Sequence, residues 1–158
     1  LAKQGIAAPG KLAIVGWSYG GYAALQSSVL DPELFKAIVA VAPVTDLETL
    51  REEARGFTNS ALVDAFIGNG PHVREGSPAQ NAGKIKAPVL LFHGDRDLNV
   101  GVGESRLMTR KLKDAGGRVE FVEFEGLDHQ LADDKARAQM LDKSDAFLRA
   151  SLNLPAKP

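Results

Sequence analysis

The 158-residue chain contains no cysteine, a single tryptophan, two methionines and three histidines. Without thiols it forms no disulfide, no thiolate metal site and no cysteine nucleophile, and it is compatible with an oxidising or a reducing compartment. Neither sign of charge is in surplus. With 19 basic and 20 acidic residues the formal net charge is −1, which removes the general pull toward nucleic acid or an anionic membrane. Long hydrophobic runs are missing as well. The longest, around Ala37 to Ala42 and Ala87 to Phe92, fall far short of the roughly 20 residues that cross a bilayer, and they read as buried strands. No secretory leader pattern stands at the start, so a soluble protein is expected, with cytoplasm and periplasm both open. The histidines show neither H-x-x-x-H nor H-E-x-x-H spacing, and no glycine-rich loop ends in Lys-Ser or Lys-Thr. Neither a catalytic zinc, a phosphate cradle nor any other cofactor is expected.

An apolar content of 44% with 25% charged residues describes one globular domain with a sizeable core. Short apolar runs at Leu12 to Val15, Phe35 to Val41, Val89 to His93 and Val119 to Phe124 predict four strands. Helical patterns separate or follow them. Tyr19 to Leu30 carries Tyr22, Leu25, Val29 and Leu30; Glu104 to Ala115 carries Leu107, Met108, Leu112 and Ala115 and stops at Gly116-Gly117. The last helix is expected from about Asp133 to Leu152, with acidic residues at its positive end and Met140, Phe147, Leu148 and Leu152 facing inward. Strands alternating with helices predict a parallel sheet whose carboxyl edge holds the function. The long excursion from Pro43 to Lys86 reads as two helices, Leu47 to Arg55 and Asn59 to Ile67, followed by a Gly/Pro/Asn-rich loop over that edge. Leu1-Ala2-Lys3-Gln4 before Gly5 reads as the last turn of a helix, so the chain is expected to be part of a longer protein. Residues 153–158 read as a tail and residues 1–152 as the domain.

Gly16-Trp17-Ser18-Tyr19-Gly20 follows the first strand directly and opens the first full helix. G-x-S-x-G is common by chance, but between strand and helix it has the context of a nucleophile elbow, with Ser18 above the sheet. The Tyr19 amide, at the helix N-terminus, then donates to an oxyanion. A serine needs a base held by a carboxylate, and in this fold the order is Ser, acid, His. His129, in the loop Gly126-Leu127-Asp128, follows every candidate acid. His72, in a polar loop, and His93, closing the third strand, read as structural. Asp95 and Asp97 both stand in the acid loop, and spacing alone does not choose between them. Asp46 reads as a helix N-cap.

Three segments carry a resemblance to the prolyl oligopeptidase family of dipeptidyl-peptidases and acylaminoacyl-peptidases. They are Gly16 to Tyr22 with Ala24-Leu25, His93 to Asp97 with Asn99-Val100 and Ser105, and Gly126 to His129. Ala42 to Asp46 and Gly76-Ser77-Pro78 are also similar to family segments, and the likeness runs from Gly5 to about Leu152. The resemblance selects Asp97 as the acid and implies a partial α/β-hydrolase fold: about four parallel strands flanked by helices, with N-terminal strands missing. It implies a serine-type peptidase acting on short peptides through Ser18, Asp97 and His129, with a pocket near Tyr19, Val44, Asn99 and Val100. Missing strands and a β-propeller in the parent protein are implied too, so the 158 residues alone are expected to be inactive or nearly so. A carboxylesterase on the same scaffold and a non-catalytic binding module are the alternatives, and the oligomeric state, a homo-oligomer included, is left open. The chain departs from the family pattern at three places. Gly101 and Glu104 stand where proline and glutamine are common, Leu47 and Leu50 where proline-selective members tend to carry aromatics, and Gln130 follows the histidine in place of glycine.

Overall fold

The computed structural model describes residues 2–155. Leu1 and the last three residues of the expected tail lie outside the described residues. Four strands form one parallel sheet in the order β1 (Ile14–Trp17), β2 (Ile38–Val41), β3 (Val89–Gly94), β4 (Val119–Phe124). The register aligns Ile14 with Ile38, Ile38 with Val89 and Val89 with Val119, so the strand ends come level along one edge. The first two strands begin later than their apolar runs suggested, because Leu12 and Phe35 precede the paired register rather than join it.

Successive side chains of a strand point to opposite faces, and here each face has its own core. Ile38, Ala40, Val89 and Leu91 pack beneath α1 (Tyr19–Leu30) and α5 (Gly103–Asp114), against Leu25, Met108 and Leu112. Val39, Val41, Leu90 and Phe92 pack on the opposite side against Phe124, Leu131 and Met140, the last from α6 (Asp134–Ser151). Burying a leucine or phenylalanine of this kind contributes about 1.5–3 kcal/mol. Phe147 and Leu148 join the α6 face as expected, and the Asp133 side chain caps that helix through the Ala136 amide at 2.8 Å. Two expected stripes are narrower than their sequences suggested. Leu30 and Ala115, at the ends of α1 and α5, are exposed, and α1 packs instead through Gly21, Ala24, Leu25, Ser28 and Val29, where small residues let helix and sheet approach.

Between β2 and β3 lie α2 (Leu47–Ala54) and α3 (Ser60–Ile67), both as expected. The loop expected after them is instead α4 (Pro71–Glu75) and a 3-10 segment, Pro78–Lys84. Proline at the first helical position accounts for both, since its fixed φ suits a helix start and its missing N–H is not needed there. Ile85 and Ala87 then lead into β3 with their side chains in the core.

Candidate active site

Ser18 sits between β1 and α1 with φ 57° and ψ −121°, a conformation that costs a non-glycine residue about 1–3 kcal/mol. The surroundings hold it there. Its amide donates to the Val41 carbonyl at 2.7 Å, and its carbonyl accepts the Tyr22 amide at 3.0 Å. Gly16 is required by close approach, because an added Cβ would lie 2.0 Å from the Gly20 carbonyl oxygen. Gly20 differs: a Cβ there meets nothing within 4 Å, so close approach does not explain that glycine. Tyr19 is the first residue of α1, where helix amides lack an intrahelical acceptor and the dipole is positive.

The acid loop and the histidine loop are fastened to each other. The Asp95 amide donates to the Phe124 carbonyl at 3.0 Å, the Arg96 amide to the Leu127 carbonyl at 2.9 Å, and the Gly126 amide to Asp95 Oδ1 at 2.6 Å. Asp95 thus serves as a tie between the two loops. At Gly94 an added Cβ would lie 2.3 Å from the Leu127 carbonyl oxygen, so the two loops meet only where no side chain intervenes.

This seam brings Asp97 to His129, with Oδ2 2.6 Å from Nδ1. Oδ1 accepts the amides of Asn99 at 2.8 Å and Val100 at 2.9 Å. Burial works to raise the Asp97 pKa, but hydrogen bonds from His93, Val100, His129 and Asn99 together outweigh it and hold the carboxyl at about 2. An ionised Asp97 only accepts, so Nδ1 of His129 carries the hydrogen and Nε2 presents its lone pair. His93 is fully buried and structural, as expected. Its Nε2 faces the Val100 carbonyl at 2.9 Å and Asp97 Oδ2 at 3.2 Å, and its Nδ1 meets Ser105 Oγ at 2.8 Å. His72 lies in α4, not in a loop, with Nε2 2.8 Å from the Ile67 carbonyl. Asp46 caps α2 through the Glu48 and Thr49 amides at 3.0 and 3.2 Å.

Trp17 joins the elbow to this pair, its Nε1 donating to the His129 carbonyl at 3.1 Å. Among the described residues no hydrogen bond links the Ser18 hydroxyl to His129 Nε2. Sequence reasoning passed over Trp17, whose only signal was an indole donor beside Ser18.

An apolar cleft of about 340 Å³ opens beside Ser18, lined by Tyr19, Val44, Leu47, Leu50, Leu62 and Phe66 among others. It brings Tyr19 and Val44 together. Leu62 and Phe66 on α3 are largely exposed; their sequence showed only an apolar helix, with no sign that one face stays open. Asn99 lines a neighbouring cleft with Leu50, Glu53 and Leu98. Val100 is buried beneath the acid loop, and its side chain lines neither cleft. Among the described residues no three His, Asp or Glu side chains gather to hold a metal, and no helix is long and apolar enough to cross a membrane.

The model of the prolyl oligopeptidase family matches residues 1–155. Dipeptidyl peptidase 4 of Sus scrofa is 28% identical over 161 residues, a match covering 98% of this chain and 20% of that protein. Dipeptidyl aminopeptidase BIII of Pseudoxanthomonas mexicana is 27% identical over 164 residues, covering 99% and 24%. Among solved structures, a puromycin-hydrolyzing peptidase of Mycobacterium tuberculosis superposes with TM-score 0.90 at 28% identity, covering 100% of this chain and 24% of that one. The acylaminoacyl peptidase of Pyrococcus horikoshii gives TM-score 0.77 at 25% identity, covering 96% and 26%. The chain thus spans about a fifth to a quarter of the length of these relatives.

Proposed function

This chain belongs to the prolyl oligopeptidase family, and from that premise we propose that it carries the catalytic centre of a serine-type peptidase cleaving short oligopeptides. Ser18 is the nucleophile, His129 the general base and Asp97 the group that orients it. The observation that carries the reading is the 2.6 Å contact between Asp97 Oδ2 and His129 Nδ1 on the loop that Trp17 ties to the elbow.

The chemistry runs in two matched halves. Nε2 of His129 takes the hydroxyl proton as Ser18 Oγ bonds to the scissile carbonyl carbon, and the Tyr19 amide stabilises the oxyanion. The carbon–nitrogen bond then breaks as the leaving amine takes the proton from Nε2, and the acyl group stays on Ser18. Water, deprotonated by the same nitrogen, releases the acid and restores the hydroxyl. Catalytic hydrogen bonds often tighten only once substrate is seated, which fits a hydroxyl not yet engaged with Nε2.

Tyr19 and Val44 supply walls of the pocket for the side chain before the scissile bond, and Asn99 lines the neighbouring cleft on its acid-loop side. Leu47 and Leu50 line that pocket together with Tyr19, Tyr22 and Phe66, so it takes an apolar side chain, and the two leucines stand where proline-selective members tend to carry aromatics. The second oxyanion donor and the propeller belong to further parts of the parent protein. Two observations support this: the share of its relatives that the chain spans, and β1, an outer strand of the described sheet on which Val15 is 59% exposed. Residues 1–152 are then the C-terminal portion of the hydrolase domain.

The test is covalent labelling. Full-length protein treated with a fluorophosphonate is expected to gain one adduct, mapped to Ser18 by peptide mass and lost in S18A. An adduct on another residue, or none, refutes the assignment.

A further inference from the structure

Two acidic side chains fasten the exit of the acid loop, one at and one facing the positions where the sequence departs from the family pattern. Glu53 of α2 accepts the Gly101 amide at 3.0 Å, and an added Cβ at Gly101 would lie 2.3 Å from Glu53 Oε1. Glu104, in the first turn of α5, is wholly buried. Its Oε2 meets three groups of the loop after β2: the Thr45 amide at 2.8 Å, the Asp46 amide at 2.9 Å and the Thr45 hydroxyl at 2.6 Å. Its Oε1 is buried without a hydrogen-bond partner.

All three donors reach one oxygen of Glu104. Thr45 Oγ1 also lies 2.9 Å from the backbone carbonyl of Glu104, so its one proton is shared between that carbonyl and Oε2. Oε1 has no donor at all, so an ionised Glu104 would bury half of its charge unsatisfied. A proton on Oε1 makes the side chain neutral, while Oε2, as the carbonyl oxygen, still accepts the amides and the hydroxyl.

The charges around the site favour the same state. Glu53 faces Glu104 from α2 with like charge, and among the described residues no cation is paired with Glu104. Asp46 turns its carboxylate to the α2 amides and Gln80, while on the β3 side His93 bonds to Ser105 and faces Asp97. A buried carboxylate with one oxygen unpartnered and no counter-charge is costly, and taking up a proton removes that cost.

We infer that Glu104 is a positioning residue held in its protonated form, pinning the Val44 to Asp46 loop to the first turn of α5. Loss of its proton loosens the apolar cleft and weakens substrate binding, while Ser18, Asp97 and His129 keep their places. Burial pushes this carboxyl up to about 7, against the hydrogen bonds from Thr45 and Asp46 and with the help of Glu53, so the change falls near neutral pH.

The kinetic consequence rests on the peptidase reading; the protonation rests on geometry alone and is measured separately. A carboxyl whose pKa is higher folded than unfolded contributes stability that is present in acid and lost as pH rises from about 4.5 to about 7. In full-length protein, the Tm of wild type minus that of E104Q is therefore expected to fall across that window and then level. Parallel Tm curves overturn the inference. Should E104Q not fold, infrared spectra of the wild type decide: a protonated-carboxyl band is expected at about pH 6 and gone by about pH 9, and its absence at the lower pH overturns the inference. In turnover, KM of the wild type is expected to rise about threefold or more above pH 7 with kcat little changed, and KM of E104Q to stay flat over the same range. An E104Q profile that reproduces the wild-type rise overturns the positioning role. A protein with no turnover refutes the peptidase reading but leaves the Tm and infrared results standing.

Discussion

The indole Nε1 of Trp17 and the backbone carbonyl of His129 are 3.1 Å apart, so the residue before Ser18 holds the main chain of the His129 loop. Replacing Trp17 with phenylalanine keeps an aromatic ring against the α6 face of the core and removes only the donor. One hydrogen bond of this kind contributes about 1 kcal/mol, so kcat/KM of W17F is expected to fall about fivefold. The Tm is expected to move little. Steady-state kinetics with a peptide substrate check it, and wild-type kcat/KM in W17F would show that the contact does not position the base.

Asp97 has a second, measurable effect through pH. Its folded pKa of about 2 lies below the ordinary 3.8, so its ionised form contributes stability above about pH 4 that is lost as pH falls toward 2. The shift corresponds to about 2 kcal/mol. D97N lacks this titration, so the Tm advantage of wild type over D97N is expected to shrink as acid is added across that range. At neutral pH, D97N is expected to lose about ten-thousand-fold in kcat, because an amide no longer fixes the hydrogen on Nδ1 of His129. Thermal melts at several pH values and turnover assays read the two effects independently.

The apolar cleft predicts a size-dependent response at Leu50. A phenylalanine there narrows the space between Val44 and α3. The L50F variant is expected to raise KM about tenfold for substrates with phenylalanine before the scissile bond, relative to substrates with alanine, at nearly unchanged kcat. Equal effects on both substrates would mean that this cleft does not receive that side chain.

The sheet was legible in the sequence because its two central strands, β2 and β3, are buried on both faces and read as continuous apolar runs, most clearly Val89 to Phe92. Motif and order singled out Ser18 and His129 as candidates and the family resemblance singled out Asp97; the structure brings Asp97 to His129. What distinguishes Asp97 from Asp95 is which loop each faces: Asp97 turns inward to His129, and Asp95 crosses to the Gly126 amide. No local pattern encodes that difference. The segment after α3 was misread because its glycines and prolines suggest an open loop, whereas Pro71 and Pro78 start helical turns whose inner residues, Val73, Ala79 and Ala82, are buried. The state of Glu104 was also out of reach, since it depends on Thr45, 59 residues earlier in the chain.

The fastening of the acid loop to the histidine loop divides the machinery unequally. Asp97 and His129 ride together on β3 and β4, locked by Asp95, Arg96 and the bare backbone at Gly94, while Ser18 rides on β1 and β2. Glu104 and Glu53 tie the loops further out, but among the described residues the only side-chain hydrogen bond from the elbow to the His129 loop is that of the Trp17 indole. Heating that frees this contact should therefore cost activity before the sheet melts, as the Ser18 and His129 loops drift apart over an intact sheet.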